Sequence, residues 1–376
     1  MNTGKRSSIR ASLWLGVVLA GSMGAQQARG DLGFAAGSFT VIDVPGAGSR
    51  PYQGTSAQSI NTSGVIGGHY IDSGGVFHGF SRAADGTITK FDAPGAATGS
   101  GQGTGFCYAI NTSGEIAGLY IDSANVHHGF VRSASGTITT FSVRGAGTVA
   151  GTGTFPYAIN SAGQVTGYYI DNNDVVHGFL RAANGKITAF NAPGAGATPG
   201  FGQGTYGFGL NASGAISGTY IDASNIEHGF LRSSSGTFTT VDVAGSSGTY
   251  AYSINASGQI TGSSLSSGLV FSGMERSATG SLSSFNAPGA GALEGEGTVG
   301  WSINPSGAIV GWYIDMPGAY HGFRRTASGT LTPFSAPGSG TAQYQGTVPY
   351  SINQGGAVAG AYLDGANVYH GFLLTP

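Results

Sequence analysis

Residues 105–122 read Gly105-Phe106-Cys107-Tyr108-Ala109-Ile110-Asn111-Thr112-Ser113-Gly114-Glu115-Ile116-Ala117-Gly118-Leu119-Tyr120-Ile121-Asp122. Large and small residues alternate up to Asn111, Thr112-Ser113-Gly114 supplies a tight turn, and a second strand-like run follows, so the segment is a β-hairpin. Reading onward, Ser123 to Asn125 form a loop, Val126-His127-His128-Gly129-Phe130-Val131-Arg132 a third strand, and Thr137-Ile138-Thr139-Thr140-Phe141-Ser142-Val143 a fourth after the turn Ser-Ala-Ser-Gly. No window carries helical periodicity with caps, so helical solenoids and parallel α/β folds fit poorly.

The same four-strand pattern recurs along the chain. Its anchor pair falls at Ile60-Asn61, Ile110-Asn111, Ile159-Asn160, Leu210-Asn211, Ile254-Asn255, Ile303-Asn304 and Ile352-Asn353, spaced by 50, 49, 51, 44, 49 and 49 residues. A period near 49 marks a repeat architecture. Each copy ends in a segment such as Thr87-Ile88-Thr89-Lys90-Phe91-Asp92-Ala93-Pro94-Gly95, but the last copy stops at Pro376 without it. A free copy lies at the other end, Gly37-Ser38-Phe39-Thr40-Val41-Ile42-Asp43-Val44-Pro45-Gly46-Ala47-Gly48. An open array of hairpins has no reason to move one strand to the opposite terminus. The expectation is an all-β, seven-bladed β-propeller with four strands per blade, its last blade closed by an N-terminal strand at 38–44. It occupies residues 31–376 as one domain, with blades starting near 56, 106, 155, 206, 250, 299 and 348.

Composition sets the compartment and removes several partners. Residues 1–30 read as a secretory signal: Lys5, Arg6 and Arg10 precede the apolar run Leu13 to Ala20, and small residues follow. That run is far below the ~20 residues that span a bilayer, so export without membrane insertion is expected. Without those three basic residues the formal charge moves from −2 to −5, which argues against nucleic acid as a partner. Cys107 is the only cysteine, so there is no disulfide framework and no thiolate metal site. Gly is abundant at 70 residues, yet aromatic and β-branched residues recur in register and supply a core, so the chain is ordered.

Turn lengths distinguish the two rims. The turns between strands one and two and between three and four are short in every copy. The opposite rim carries an Asp-containing loop and a link of variable length, 11 positions from Pro193 to Gly204 but 4 from Ala244 to Gly248. Variable loops on a rigid scaffold are where binding is expected.

Combined with His-Gly-Phe-x-Arg, the run Tyr-Ala-Ile-Asn-x-x-Gly-x-Ile-x-Gly resembles the HAF-repeat family of extracellular repeat proteins, named for a His-Ala-Phe triplet. Here the triplet is His-Gly-Phe at His78, His128, His177, His228, His321 and His370. The resemblance covers nearly the whole mature chain and implies an exported repeat protein; it carries over no catalytic residue.

Candidate residues fall into three sets. An Asp at Asp72, Asp122, Asp171, Asp222, Asp315 and Asp364 precedes each of those histidines by six positions. A chemistry needed once is not duplicated in every blade, so the pairs are read as a structural polar ladder across the hairpin, against the sharper readings of repeated metal or acid/base sites or a sugar pocket between blades. The second set stands three residues before each anchor Asn: Gln58, Tyr108, Tyr157, Phe208, Tyr252, Trp301 and Tyr350. This position is expected to begin the innermost strand, at the mouth of a central channel, where rings either pack between blades or offer a stacking platform to a sugar. The third set breaks the repeat: Glu294 and Glu296 before blade six, Tyr344 before blade seven, Arg50 and Tyr52 before blade one. These ring neighbours are expected to converge on a single site. His69 and His127 are too scattered for a metal set, and no metal or cofactor is implied.

The leading reading is a secreted propeller that binds carbohydrate or an envelope or matrix partner. The alternative is a polysaccharide hydrolase or lyase using Glu294 or Glu296. A purely structural surface repeat protein is the third.

Overall fold

A computed structural model describes residues 37–376. The leader read at residues 1–30 lies outside the described residues. Among the described residues every regular element is a β-strand, 28 in all, and the fold is a β-propeller.

Hydrogen-bonded pairing groups the strands into four-stranded antiparallel units. The unit read first consists of Gly103–Ile110, Ile116–Ile121, His127–Arg132 and Ile138–Phe141. Six such units follow one another along the chain. The remaining three strands, Gly346–Ile352, Val358–Leu363 and Tyr369–Thr375, are joined by Ser38–Ile42, which runs antiparallel to the last of them with Ser38 opposite Thr375 and Ile42 opposite Gly371. In five of the other six units the residue opposite that glycine is the strand-four Phe, as in Gly322 with Phe334, and in the fourth it is Val241.

Repeat-specific side chains hold neighbouring units together. The Phe of His-Gly-Phe is buried in six units, at Phe80, Phe130, Phe179, Phe230, Phe323 and Phe372, and Met274 replaces it in the fifth. Strand-four rings meet the next unit's Phe edge-on, with Phe91 and Phe130 at 6.0 Å and 76°. The Arg ending strand three lies over the strand-four ring of the preceding unit, as with Arg132 over Phe91 and Arg325 over Phe285. In each Gly-Thr pair the Thr hydroxyl accepts the amide two residues past the end of the preceding strand four; Ala93 N donates to Thr104 Oγ1 at 2.8 Å, and Val44 N, just past the N-terminal strand, donates to Thr55 Oγ1 at 2.9 Å.

The anchor Asn residues form a cyclic belt. Each side-chain amide donates to the next anchor's backbone carbonyl, from Asn61 to Asn111 and on to Asn353, which donates back to Asn61 O at 3.0 Å. The Oδ1 atom caps its own turn, as Asn111 does for Ser113 N and Glu115 N. One residue type thus closes the hairpin and links the units, which accounts for its recurrence.

Candidate functional site

In the innermost strand the register slips by one residue in the same place. Pairing jumps from Pro156 to Ala158, from Gly207 to Gly209, from Ala251 to Ser253, from Gly300 to Ser302 and from Pro349 to Ser351. The skipped residues are Tyr157, Phe208, Tyr252, Trp301 and Tyr350. A β-bulge re-aims its extra side chain, and here it turns the ring into the central channel. The aromatic position therefore lies past the middle of the strand, as with Trp301 in Gly297–Ile303, and not at its start as expected from the sequence. Bulges depend on pairing between strands and leave no local mark, which explains the misplacement.

These rings line a cavity of about 810 Å³, within the ~300–1,000 Å³ usual for small-ligand sites. Tyr108 stacks on Tyr157 at 4.4 Å, Tyr157 meets Phe208 at 5.2 Å, Phe208 meets Tyr252 at 5.7 Å, and Tyr252 meets Trp301 at 4.8 Å. Packing and channel lining are thus carried by the same side chains. Burial pushes the Tyr108, Tyr157, Tyr252 and Tyr350 phenols up, and Tyr320 to about 12, so they remain neutral donors in ordinary solution.

Glu294, Glu296, Trp301, Tyr344 and Tyr350 reach the same cavity as Tyr108, Tyr157 and Tyr252, so the links before the sixth and seventh units do converge. Arg50 and Tyr52 do not line it. The Tyr52 amide is tied to the Asn367 carbonyl at 2.7 Å in the neighbouring unit's loop, and Arg50 stays exposed. The first unit contributes instead through its strands, with Gln58 from the channel-mouth set and with Ser56 and His69, which sequence reasoning left out of the candidate site.

Glu296 has a repeat-wide role that the sequence reading missed. Its Oε2 accepts the Leu293 amide at 2.9 Å, just as Gln53, Gln102, Gln203 and Gln345 accept link amides through Oε1. The signal is visible in the chain as Gln-Gly-Thr at four links and Glu296-Gly297-Thr298 at this one. Glu296 is buried as a loop staple, which weakens its assignment as one of an acid/base pair.

The Asp and His residues meet across the hairpin at the periphery. Asp122 Oδ1 accepts the Ala124 and Val126 amides at 2.8 and 2.9 Å, and Oδ2 meets His128 Nε2 at 3.0 Å. Burial opposes the charge, but these hydrogen bonds hold the Asp122 carboxyl below its usual value. The His ring stacks on the preceding Tyr, as Tyr120 does at 4.9 Å, and its Nδ1 turns to the residue after strand four: Ser142 for His128, and Asp43 of the N-terminal strand for His370 at 2.9 Å. Asp72, Asp171, Asp222, Asp315 and Asp364 lie 2.9 to 3.6 Å from His78, His177, His228, His321 and His370. The amides served belong to a partly exposed turn. The fifth unit keeps only a weaker version, with Ser266 accepting Val270 N. Among the described residues no group of three or more His, Cys, Asp or Glu is placed to hold a metal. Asp122→Ala is expected to destabilise by about 1–2 kcal/mol, the cost of unmet turn amides with partial water access. Urea denaturation checks this, and unchanged stability contradicts a structural ladder.

No family model matches the chain, and no curated protein matches it. Among solved structures it is similar to the BP39L lectin of Burkholderia pseudomallei, at 9% identity and TM-score 0.50, over 85% of this chain and 98% of that one. It is also similar to the Aleuria aurantia lectin, described as a six-bladed β-propeller with a novel fucose recognition mode (14%, TM-score 0.43, 74% and 93%), and to a TolB of Agrobacterium tumefaciens (13%, TM-score 0.41, 57% and 75%). At these identities the likeness concerns the fold alone.

Proposed function

We propose that this chain is a seven-bladed propeller of the HAF-repeat type, closed by its N-terminal strand, that is exported and binds carbohydrate in its central channel without catalysis. Free glycan or a glycan of the envelope or matrix would be the partner. The observation that carries this reading is the belt of bulge-aimed rings around the channel, interrupted by a few buried polar groups. Flat aromatic faces match the C–H faces of sugar rings, and phenol and amide groups match their hydroxyls. Four strands in each of seven units, with Asp43 completing the last His contact, support the blade count and the closure. The likeness in fold to the BP39L lectin is in keeping with this reading.

The test is incubation of the mature protein with a panel of polysaccharides, reading both retention and products. Retention without new reducing ends or unsaturated uronates is expected. Trp301→Ala should remove a stacking surface worth about 0.5–1.5 kcal/mol beyond its area, weakening retention roughly tenfold while the fold survives. A variant that binds like wild type overturns the channel assignment. Products that vanish in Glu294→Gln favour the enzyme reading.

A further inference from the structure

We propose that Ser56, Gln58 and His69 form one polar wall that makes the channel a single, oriented site for an uncharged, hydroxyl-bearing sugar and turns away uronic and other acidic sugars. This rests on the carbohydrate-binding reading above.

One departure from the repeat and two residues particular to this unit meet in this wedge. Gln58 takes the bulge position held by an aromatic ring in the other six units. Ser56 stands where the other units carry Gly105, Phe155, Tyr206, Tyr250, Val299 and Val348, and His69, its cross-strand partner, is the one histidine at a position held elsewhere by Leu119, Tyr168, Thr219, Ser263, Trp312 and Ala361. Gln58 and His69 are 7% and 6% exposed, and Gln58 Oε1 and His69 Nδ1 have no hydrogen-bond partner in the protein although both residues line the cavity. Buried polar atoms are normally satisfied, because leaving one unmet costs more than a hydrogen bond returns. At the bulge itself, packing alone would be met by the ring that the other six units carry there.

The imidazole is held in place. Phe77 and Phe106 flank it at 5.5 and 5.0 Å between centroids. Phe106 does so from a left-handed backbone conformation, φ 49°, in a strand one residue longer than its counterparts. Burial lowers the His69 pKa to about 4, so at neutral pH the ring is uncharged, one nitrogen donating and the other accepting. Gln58 Oε1 only accepts. A ligand that offers a hydroxyl proton to Gln58 and a second hydroxyl to His69 meets both atoms, while Tyr157, Tyr252 and Trp301 on other arcs of the channel take its C–H face.

Charge sets the selectivity. No Lys or Arg lines the cavity, whereas Glu294 and Glu296 do. A carboxylate on the ligand would leave water for an aromatic, low-dielectric channel without a counter-charge and in the company of two acidic side chains.

Matched probes decide it: methyl β-glucoside against methyl β-glucuronide, and methyl α-galactoside against methyl α-galacturonide, titrated calorimetrically into the full mature protein. At least one neutral member should bind about tenfold or more tightly than its acid. Gln58→Leu and His69→Leu should each lower that affinity about tenfold, and the His69 ring-nitrogen resonances of wild type should shift on saturation. If the leucine variants fail to fold, His69→Gln and the wild-type resonances carry the test. Equal binding of the acid, or wild-type affinity in folded variants with silent His69 resonances, overturns the polar wall; Trp301→Ala still weakening that binding would leave the carbohydrate reading standing. If no probe binds and no polysaccharide of the panel is retained, both fail together.

Discussion

Removal of residues 37–48 is expected to leave a protein that unfolds at markedly lower temperature or aggregates. Ser38–Ile42 supplies the whole outer strand of the last unit, and five residue pairs join it to Tyr369–Thr375. Without it that strand becomes an unpaired edge, a ready template for pairing with other chains. The loss spreads inward. Ile42 and Val44 are almost fully buried in the core shared with Phe80, and Phe39 packs on Phe334 and Phe372 at 6.1 and 5.8 Å. Polar contacts vanish as well, among them His370 with Asp43, Val44 N with Thr55, and Lys90 Nζ with the Pro45 carbonyl. Differential scanning calorimetry and size-exclusion chromatography check the outcome. A melting temperature within a degree of wild type would mean that the N-terminal strand does not hold the ring.

That strand was legible in the sequence because its evidence is local: a copy of a known segment in an unexpected place. The period, the hairpins and the short turns were legible for the same reason, since Asn-x-Ser-Gly and Pro-Gly chemistry acts within a few residues. The closing strand itself ends at Ile42, two residues short of the expected span, because Asp43 and Val44 turn away to serve His370 and Thr55. The candidate site was legible only in part. Tyr108, Tyr157, Tyr252, Trp301 and Tyr350 stood out by their spacing, but the bulge that aims them is a property of two paired strands. Ser56 and His69 lie on different strands and meet only through register, so no window of sequence joins them. Arg50 and Tyr52 went the other way: Tyr52 is tied to the adjacent loop, Arg50 stays exposed, and neither lines the cavity.

The glycine of strand two shows how strictly the repeat is enforced, and Gly311→Ala is expected to destabilise by about 3 kcal/mol or more. A Cβ at Gly311 would press on the Val299 carbonyl oxygen and stand 3.0 Å from the Phe323 ring. The carbonyl belongs to the innermost strand, where Val299 pairs with Trp312 and Gly300 with Gly311, so the backbone cannot retreat without breaking the ladder beside the Trp301 bulge. Overpacking a side chain against flexible neighbours costs about 1–3 kcal/mol; against fixed backbone the cost sits at or above the top of that range. The same glycine recurs at Gly68, Gly118, Gly167, Gly218, Gly262 and Gly360, each facing a strand-one carbonyl, which is why Ile-x-Gly belongs to the repeat. Gly365 is the control. It lies in a loop with open space where a Cβ would go, so Gly365→Ala should be neutral, or stabilising by up to about 1 kcal/mol through a less flexible unfolded chain. Urea denaturation of the pair reads the contrast directly. Equal stabilities would show that the strand-two glycines are tolerated by chance, and would remove the steric reason for the motif.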